Sequence, residues 1–427
     1  MPQIPSHPVH WDHKTILLAL EATYGSDAGL TLDGATAIRL YDVTFTPMEV
    51  EEKELPYLKP YMGANSSIFV AKRNKLSGKL PLVGAGASGT PCWDTVMRIC
   101  GTARTQVAKT ASATIAAAAV KTSGDGAFTY TRTTACAGTL DRTATLTCTT
   151  GGGSGVAQFT VAAPGTEYLP AYNQTAVTMT TGSPFALPGG AVITIDAIGT
   201  PFTAGDVFTI TLSAARSDYA PSSDRNNHKS GAIHFLMNDP GGQQQKFAML
   251  GTRGAIKGMG EINGFPYLEV ELTSLWTAPA LAASVAPDFT VWPDPIEVST
   301  TNTPIFRMHG NDLVVETFGW DAGNQVELVE RVGRTAVRIN DRKSTANIKF
   351  EYPSLGEWNI WATAEARTGG ALLFQHGRNA GEVVRISAPA AQLKAPKLVE
   401  SKKDTLVEVQ AALLPVTGDD EWLISAR

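Results

Sequence analysis

Hydrophobic and polar residues alternate with a period of two along most of this chain, which predicts short β-strands separated by turns. The alternation is clear in Leu268–Leu272 and again in Leu406–Gln410, where Glu or Gln separates aliphatic residues. Helical spacing of apolar residues occurs at two places. The pattern therefore predicts a mainly β protein with two short helices.

The first helix is predicted over residues 90–101. Thr90 suits the N-cap, Pro91 the first helical position and Gly101 the C′ position. The residues that follow the helical repeat i, i+3, i+4, i+7 are Trp93, Val96, Met97 and Cys100. This stripe predicts that the helix lays an aromatic face on a sheet.

The second helix is predicted over residues 354–369. Ser354 and Glu357 have the spacing of a capping box. The residues that repeat the spacing of the first helix are Trp358, Trp361, Ala362 and Glu365. We expect this helix to face a sheet in the same way.

The order of predicted elements occurs twice, so the chain contains two copies of one unit. Each copy has a strand, a long charged segment, a second strand, a helix and further strands. The first copy is predicted to occupy residues 1–104 and 216–285 and the second residues 300–427, with a proline-rich linker at 286–299. Two copies of one unit favour symmetric assembly over a single catalytic pocket.

An insert interrupts the first copy at residues 105–215, where the composition changes to Thr, Ala and Gly with few charges. Short alternating strands separated by glycine-rich turns predict a small β-sandwich. Because the insert begins and ends inside one copy, its two ends are expected to lie close together.

Composition limits the function classes. Hydrophobic residues make up 43% of the chain, which indicates a folded protein, and a charged content of 18% suits a surface that is buried between subunits. The net charge of −5 argues against a sequence-specific DNA binder. No apolar run is long enough to span a membrane, and no signal peptide is recognisable, so we expect synthesis in the cytoplasm and no membrane insertion.

Candidate cofactor and metal motifs are weak. Gly84–Gly89 matches a dinucleotide-binding pattern, but the helix starts after its last glycine and no acidic residue follows at the required distance. His7, His10 and His13 have a spacing that suits a metal, yet their terminal position favours a mobile arm. The sequence therefore predicts neither cofactor nor metal.

Two further pairs of residues leave alternatives open. Cys136 and Cys148 flank a predicted hairpin and could form a disulfide, although cytoplasmic synthesis disfavours one. Glu269 and Glu271 share one face of a strand. They suit either a glycosidase pair or a hydrophilic sheet face, and the aliphatic residues between them favour the second.

Two charged segments, from Glu49 to Ser67 and from Gln325 to Asn340, lie at matching places in the two copies. Each is either a docking arm or a solvated hairpin. The predicted contact residues in the first segment are Tyr57, Leu58, Tyr61 and Met62, and those in the second are Glu327, Arg331 and Arg334. Aromatic residues in a polar loop favour docking, because such residues dominate interface energies.

The order of these features resembles the major tail tube proteins of bacteriophages with long, non-contractile tails. The segments that carry the resemblance are Leu17–Asp27, Leu40–Glu49, Leu58–Gly63, Trp93–Gly101, Lys246–Trp276 and Leu413–Trp422. The resemblance covers the chain outside residues 105–215. The insert is similar to the immunoglobulin-like domains on the outside of phage tails.

The resemblance implies two tandem tail-tube β-sandwich domains, each with a flanking helix. Three chains would supply the six units of a ring, whose inner strands close into a barrel, and rings would stack into a tube. The implied partners are the tape-measure protein in the lumen, the tail terminator and distal tail proteins, and double-stranded DNA that passes without specific binding. The implied location is the virion, after assembly in the host cytoplasm.

The resemblance also gives roles to the candidate residues. The two charged segments become contacts between stacked rings. The residues expected to face the lumen are Glu269, Glu271, Glu408 and Gln410, which predicts an acidic wall that repels phosphate. The protein is not expected to be an enzyme. The alternative is a phage or bacterial surface adhesin that binds a receptor through the Thr-rich insert.

Overall fold

The computed structural model describes residues 9, 11–86, 89–107, 120–134, 142–164, 171–188, 191–212, 216–238, 242–379 and 381–427. In these residues the chain is built from antiparallel strands and contains two short α-helices. The predicted mainly β fold is confirmed.

The elements follow in chain order. The first copy begins with β1 (Lys14–Leu20), a 3-10 turn (Gly34–Thr36), β2 (Tyr41–Glu54), β3 (Ser67–Pro81), α1 (Asp94–Ile99) and β4 (Thr102–Val107). The insert contains β5 (Val120–Ser123), β6 (Ala127–Thr134), β7 (Arg142–Thr150), β8 (Gln158–Ala163), β9 (Tyr172–Thr178), β10 (Pro184–Ala186), β11 (Val192–Thr200) and β12 (Val207–Leu212). The first copy resumes with β13 (Arg216–Pro221), β14 (Gly231–Asn238), β15 (Gln244–Glu261), β16 (Tyr267–Leu275) and β17 (Ala280–Ala282). The second copy contains β18 (Ile305–Met308), β19 (Asn311–Asp312), β20 (Val315–Asp321), β21 (Asn324–Arg331), β22 (Arg334–Arg342), β23 (Thr345–Glu351), α2 (Ile360–Ala366), β24 (Gly369–His376), β25 (Val384–Leu393), β26 (Lys397–Ser401), β27 (Asp404–Leu414) and β28 (Leu423–Ala426).

The same strand pairing occurs in both copies. In the first copy the strands lie side by side in the order β2–β3–β16–β15, and in the second copy in the order β20–β23–β27–β26. The second layer is also repeated, since β1 pairs with β14 and β14 with β15, while β18 pairs with β24 and β24 with β25. Each copy therefore consists of two sheet layers. In the first copy β15 belongs to both layers, and in the second copy β25 and β26 take these two places.

The apolar residues between these layers form one continuous core through both copies. Its largest fully buried side chains include Trp93 in the first copy and Trp320 and Trp422 in the second. Stacked rings join the layers in both copies, Phe45 on Phe235 at 4.2 Å between ring centroids in the first and Phe318 on Phe374 at 4.8 Å in the second. The insert has a separate core, which includes buried residues from β7, β8, β11 and β12.

The insert leaves and re-enters the body through neighbouring strands. Val107, at the end of β4, lies directly opposite Arg216, at the start of β13. The insert strands form two sheets, β5–β12–β7–β8–β9 and β10–β11–β6, around their shared core. Strand β4 continues past the predicted boundary at residue 105, because its backbone is paired with β13 as far as Val107.

The proline-rich segment 286–299 packs against both copies. Trp292 is buried, and its indole Nε1 donates a hydrogen bond of 3.1 Å to the carbonyl of Ala37. Further along, the carbonyl of Ile296 is in hydrogen-bond contact with His376 Nε2 at 3.2 Å. The segment contains neither helix nor strand, because its prolines lack the N–H groups that ladders need.

The first helix is shorter than its sequence pattern predicts. It begins at Asp94 with Trp93 at the N-cap position, so the prediction that Thr90 caps the helix is wrong. Trp93 instead anchors this end, since its Nε1 donates to the carbonyl of Val83 at 2.8 Å. Gly101 follows the helix with a φ of +78°, as the C′ position requires. The predicted apolar stripe of this helix is fully buried.

The second helix differs from the prediction in both start and orientation. Ser354 and Glu357 do form reciprocal hydrogen bonds, but these close a turn that ends before the helix. The helix is capped by Asn359, whose side chain accepts from the N–H of Ala362 at 3.0 Å. The predicted buried stripe is wrong, since Trp361, Ala362 and Glu365 are exposed. Trp358 lies ahead of the helix and stacks on Phe350, and the buried residue of the helix itself is Ile360.

Candidate assembly interface

The boundary between the two copies is a β-sheet contact. Strand β20 of the second copy pairs antiparallel with the C-terminal half of β15 of the first. The opposed residues are Lys257 and Asp321, Gly258 and Trp320, Met259 and Gly319, Gly260 and Phe318, and Glu261 and Thr317. A side chain at Gly258 would crowd the indole, because its Cβ would lie 3.2 Å from Trp320. Glycine at this position therefore allows the two strands to approach.

A hairpin of the second copy, β21–β22, continues this contact over the surface of the first copy. Its Val337 is fully buried and donates a backbone hydrogen bond of 2.7 Å to the hydroxyl of Tyr24. The carbonyl of Val337 accepts from Arg253 Nη1 at 2.8 Å. At the hairpin base, Asn324 Nδ2 donates to the carbonyl of Cys100 at 2.6 Å. The hairpin is thus bonded to the end of α1 and to β15.

Charged residues close the boundary beside this hairpin. Arg342, the residue opposite Asn324, forms ion pairs with Asp419 and with Glu421, the latter at 3.0 Å between Nε and Oε1. Asp419 also accepts hydrogen bonds from Ser223 of the first copy. A second sheet contact lies nearby, where β28 of the second copy pairs with β13 of the first.

Arg334 lies in a cluster of cationic side chains at this boundary. Together with Arg225, Arg253, Arg338 and His228 it lines a cavity of about 220 Å³. Burial lowers the pKa of the Arg253 guanidinium, and the neighbouring arginines act in the same direction. The docked hairpin therefore presents concentrated positive charge next to the junction.

The corresponding hairpin of the first copy, β2–β3, extends into solvent. Its connecting loop carries the four predicted contact residues Tyr57, Leu58, Tyr61 and Met62, and all four side chains are exposed, Leu58 and Met62 fully so. Large apolar groups at a loop tip are costly to hydrate unless another surface covers them. Glu327, Arg331 and Arg334 are also exposed, on the other hairpin. Glu327 there accepts a hydrogen bond of 2.6 Å from Asn340.

The four predicted lumen residues lie on the face of β16 and β27 that points away from the core. Glu271, Glu408 and Gln410 are exposed there, and Glu269 is half-buried. Strand register places lysines beside the two equivalent glutamates. Glu269 lies between Lys79 and Lys257, and Glu408 lies between Lys349 and Lys397.

This arrangement corrects the expected acidic wall. The alternation along β16 and β27 predicted the positions of the glutamates. The lysines come from the neighbouring strands, and the sequence of one strand does not show which strands lie beside it. Lys79 forms an ion pair with Asp42 at 3.0 Å, and Lys349 forms one with Glu316 at 3.0 Å. The face carries interleaved charges of both signs. Such a face neither holds nor strongly repels a phosphate backbone.

The glycine-rich loop that begins at Gly84 is in contact with the backbone of the second copy. A Cβ at Gly84 would lie 2.2 Å from the carbonyl oxygen of Gly381, and the N–H of Gly86 donates to that carbonyl at 2.8 Å. Glycine is needed here because the backbone of the second copy approaches closely. A cavity of about 310 Å³ lies beside the loop, and His376 and Glu382 contribute to its wall.

Several candidate residues lie outside the described part of the chain, namely His7, His10 and Cys136. Cys148 is buried in the insert and its Sγ lies 3.3 Å from the carbonyl of Thr150. Burial raises the pKa of the Cys92 thiol to about 12 and also raises the pKa of the Cys100 thiol. A raised pKa keeps both thiols protonated at neutral pH, as is typical of cysteines that pack in a core.

Sequence reasoning missed the residues that join the copies. Tyr24, Arg253 and Asn324 carry no motif, and each acts through a backbone partner that is distant in sequence. The signal that could have found the junction is the pair of glycines Gly258 and Gly319 inside alternating strands, since glycine in a strand marks a close approach.

Comparison with known proteins gives no further identification. No protein-family model matches the chain, and no curated protein matches it. Among the described residues, neither helix has the length and apolar character needed to cross a membrane.

Proposed function

We propose that this chain is a structural subunit of a phage tail tube, in which three chains form a ring of six units and rings stack into a conduit for double-stranded DNA. The resemblance described above supports the family, and the structure supports an assembling subunit. The proposed partners are other copies of the chain, the tape-measure protein and the proteins at the two ends of the tail.

One observation carries this proposal. Within the described residues, the inner strands of both copies form one sheet of eight strands in the order β2–β3–β16–β15–β20–β23–β27–β26. One face of this sheet covers the core and the other carries polar residues. Repetition of such a sheet around an axis closes a barrel without free edges.

The mixed charges of the polar face suit a conduit. DNA that slides through a channel must not be trapped by cationic groups, since each phosphate contact adds to affinity through counterion release. Lysines that lie opposite carboxylates are already neutralised by the protein. The proposed ring contacts involve Tyr57, Leu58, Tyr61 and Met62 on one hairpin and Glu327, Arg331 and Arg334 on the other.

Electron micrographs of the purified chain at high concentration test the proposal. We expect hollow tubes or rings with threefold symmetry and a sixfold outline. A strictly monomeric species in micrographs and light scattering contradicts the tube. Rings of six chains contradict the trimer and leave the tube in place.

A deletion tests whether the insert is an external decoration. Removing residues 108–215 and joining Val107 to Arg216 through an Asn-Gly turn preserves the observed β4–β13 register. The insert has its own core, so the remaining chain is expected to fold and to form tubes of normal length but smaller outer diameter. A folded deletion protein that forms no tubes rejects an external location.

A further inference from the structure

We propose that chains associate head to tail by pairing β2 of one chain with β26 of the next, in the register that joins β20 to β15 inside the chain. This inference rests on the proposed assembly function and names the surface by which one copy recognises another. Within the described residues, β2 pairs only with β3 and β26 only with β27, so each strand leaves one edge open.

The two copies can be superposed by strand register alone. In each copy a row of three opposed residues, Lys–Glu–Lys, crosses the inner sheet. The two rows are Lys79–Glu269–Lys257 and Lys349–Glu408–Lys397. Lys257 and Lys397 therefore hold equivalent places, and β26 is the counterpart of the half of β15 that receives β20.

The same rows identify the counterpart of β20. Trp320 lies opposite Ala346, which is three residues before Lys349, and Phe45 lies opposite Leu76, which is three residues before Lys79. Phe45 is therefore equivalent to Trp320, and β2 is equivalent to β20. The open edge of β2 is therefore equivalent to the edge of β20 that pairs inside the chain, and the open edge of β26 is equivalent to the edge of β15 that receives it.

The internal contact then predicts the register between chains. The pairs carried over are Lys397 with Thr46, Leu398 with Phe45, and Val399 with Thr44, and they end where the register of β2 shifts between Thr44 and Tyr41. Their internal counterparts run from Lys257 with Asp321 to Met259 with Gly319. Both contacts are antiparallel, so the polar and apolar faces of the sheet continue across the junction.

Side-chain volumes agree with this register. Inside the chain the large indole of Trp320 lies over Gly258. Between chains two side chains of medium size, Phe45 and Leu398, would share the equivalent space. Leu398 is 56% exposed in the free chain, although it lies on the core-facing side of β26. Pairing would cover this leucine and complete the core at the end of the second copy.

The hairpin extends the same argument. The docked hairpin of the second copy buries Val337 and Ile339 against the first copy. The corresponding residues of the first hairpin are Ile68, which is 48% exposed, and Val70, which is partly exposed. A second copy of the chain offers the equivalent receiving surface at the end of α2. Because the two edges differ, the contact is heterologous and generates a ring if the rotation closes and a filament if it does not.

Cysteine pairs at opposed positions test the register. In the double variant Thr44→Cys, Val399→Cys, mild oxidation should form disulfides between chains, because directly opposed Cβ atoms lie within bonding reach. A closed ring gives one largest covalent band on a non-reducing gel, whereas an open filament gives a ladder. The matched control Thr46→Cys, Val399→Cys shifts the pair by two residues on the same face. It should crosslink about tenfold less.

Mixing separates a chain contact from an internal one. A Thr44→Cys chain mixed with a Val399→Cys chain should give only dimers that contain both, while each single variant alone gives the background of the native thiols. Equal crosslinking of the two double variants overturns the proposal. So does assembled protein that forms no crosslink in the Thr44→Cys, Val399→Cys chain or in the mixture of the two single variants.

A charge at the junction supplies an independent measurement. Leu398→Glu would bury a carboxylate against Phe45 and should weaken association about a hundredfold or more, with an unchanged far-UV spectrum. Val156→Glu, at another exposed apolar residue in the insert, should leave association unchanged. Normal assembly of the Leu398→Glu chain contradicts the proposal. Tubes that form without the Thr44–Val399 crosslink reject this register and support the proposed tube. Crosslinked chains that form no tubes support the register and reject the proposed tube.

Discussion

The two hairpins of this chain have equivalent places in the fold and opposite surroundings. In β21–β22 Val337 is fully buried, and the base residue Asn324 reaches the carbonyl of Cys100 in the other copy. In β2–β3 the base residue that occupies the place of Asn324 is Glu49, which binds Arg73 of its own hairpin at 2.7 Å. The same backbone therefore either docks or stands free, according to whether its receiving surface belongs to the same chain.

This difference indicates what the free chain lacks. A hairpin that buries its apolar face is stabilised by the area it removes from water, about 25 cal/mol per Å². In the first hairpin the counterpart of Val337 is Ile68, which is 48% exposed and gains little from burial until a partner covers it. The comparison can be tested at positions where the two copies should respond differently.

The largest difference is expected at Trp320 and its counterpart Phe45. Trp320→Ala should lower the free energy of unfolding by about 3–5 kcal/mol, because the indole is buried against Trp422 and Gly258. Phe45→Ala should cost about 2 kcal/mol in the free chain, where the ring is only half-buried. Denaturant unfolding of both variants measures the contrast. Equal losses in monomeric protein would show that the two sheet edges are already equally covered.

A smaller effect, confined to assembly, is expected at the loop tip. Tyr57→Ala combined with Tyr61→Ala should leave unfolding unchanged, since both rings are exposed in the chain. Truncating a central anchor typically costs about 1–4 kcal/mol per interface, and stacking repeats that loss at every ring. Sedimentation and micrographs should therefore show folded single rings that fail to polymerise. Tubes of normal length from this variant would place the stacking contacts elsewhere.

The smallest effect concerns pH and the salt bridges of the free hairpin. Hydrogen bonds from Arg73, with further help from Lys75, lower the pKa of Glu49 to about 2 from an ordinary value of 4.5. A lowered pKa stabilises the fold above about pH 4.5 and this contribution is lost as the pH falls toward 2. Glu49→Gln should cost about 0.5 kcal/mol at neutral pH, as expected for a partly exposed pair, and nothing near pH 2.

Thermal unfolding of the Glu49→Gln chain against the parent between pH 2 and pH 7 measures this. High salt serves as the control, since it should shrink the difference at neutral pH. A difference that persists unchanged to pH 2 would assign the effect to packing.

Local patterns predicted those parts of the fold that depend on neighbouring residues. The period-two alternation identified the strands, and the buried stripe from Trp93 to Cys100 was correct because α1 packs on its own copy. The same spacing failed for α2, because Trp358 packs on Phe350 before the helix starts and leaves Trp361 outside. Apolar periodicity predicts the buried face of a helix only if the aromatic residue that packs on the sheet lies within the helix.

The junction between copies could not be predicted in the same way. Pairing between β15 and β20 is made by backbone groups, which every residue possesses, so the choice of partner strand leaves little trace in the sequence. The mixed charge of the polar face was missed for a related reason. Glu269 and Lys257 are neighbours only because two strands align, and they are twelve positions apart in the chain.

The pairing of β15 with β20 has a kinetic consequence. Since a segment of the same chain connects the two units, this junction forms during folding at the high effective concentration of a tether, and dilution cannot undo it. The junction between β2 and β26 needs a collision between molecules. Any assembly of this chain should therefore grow in steps of two units, keep their ratio fixed at one to one, and break on dilution at every second junction.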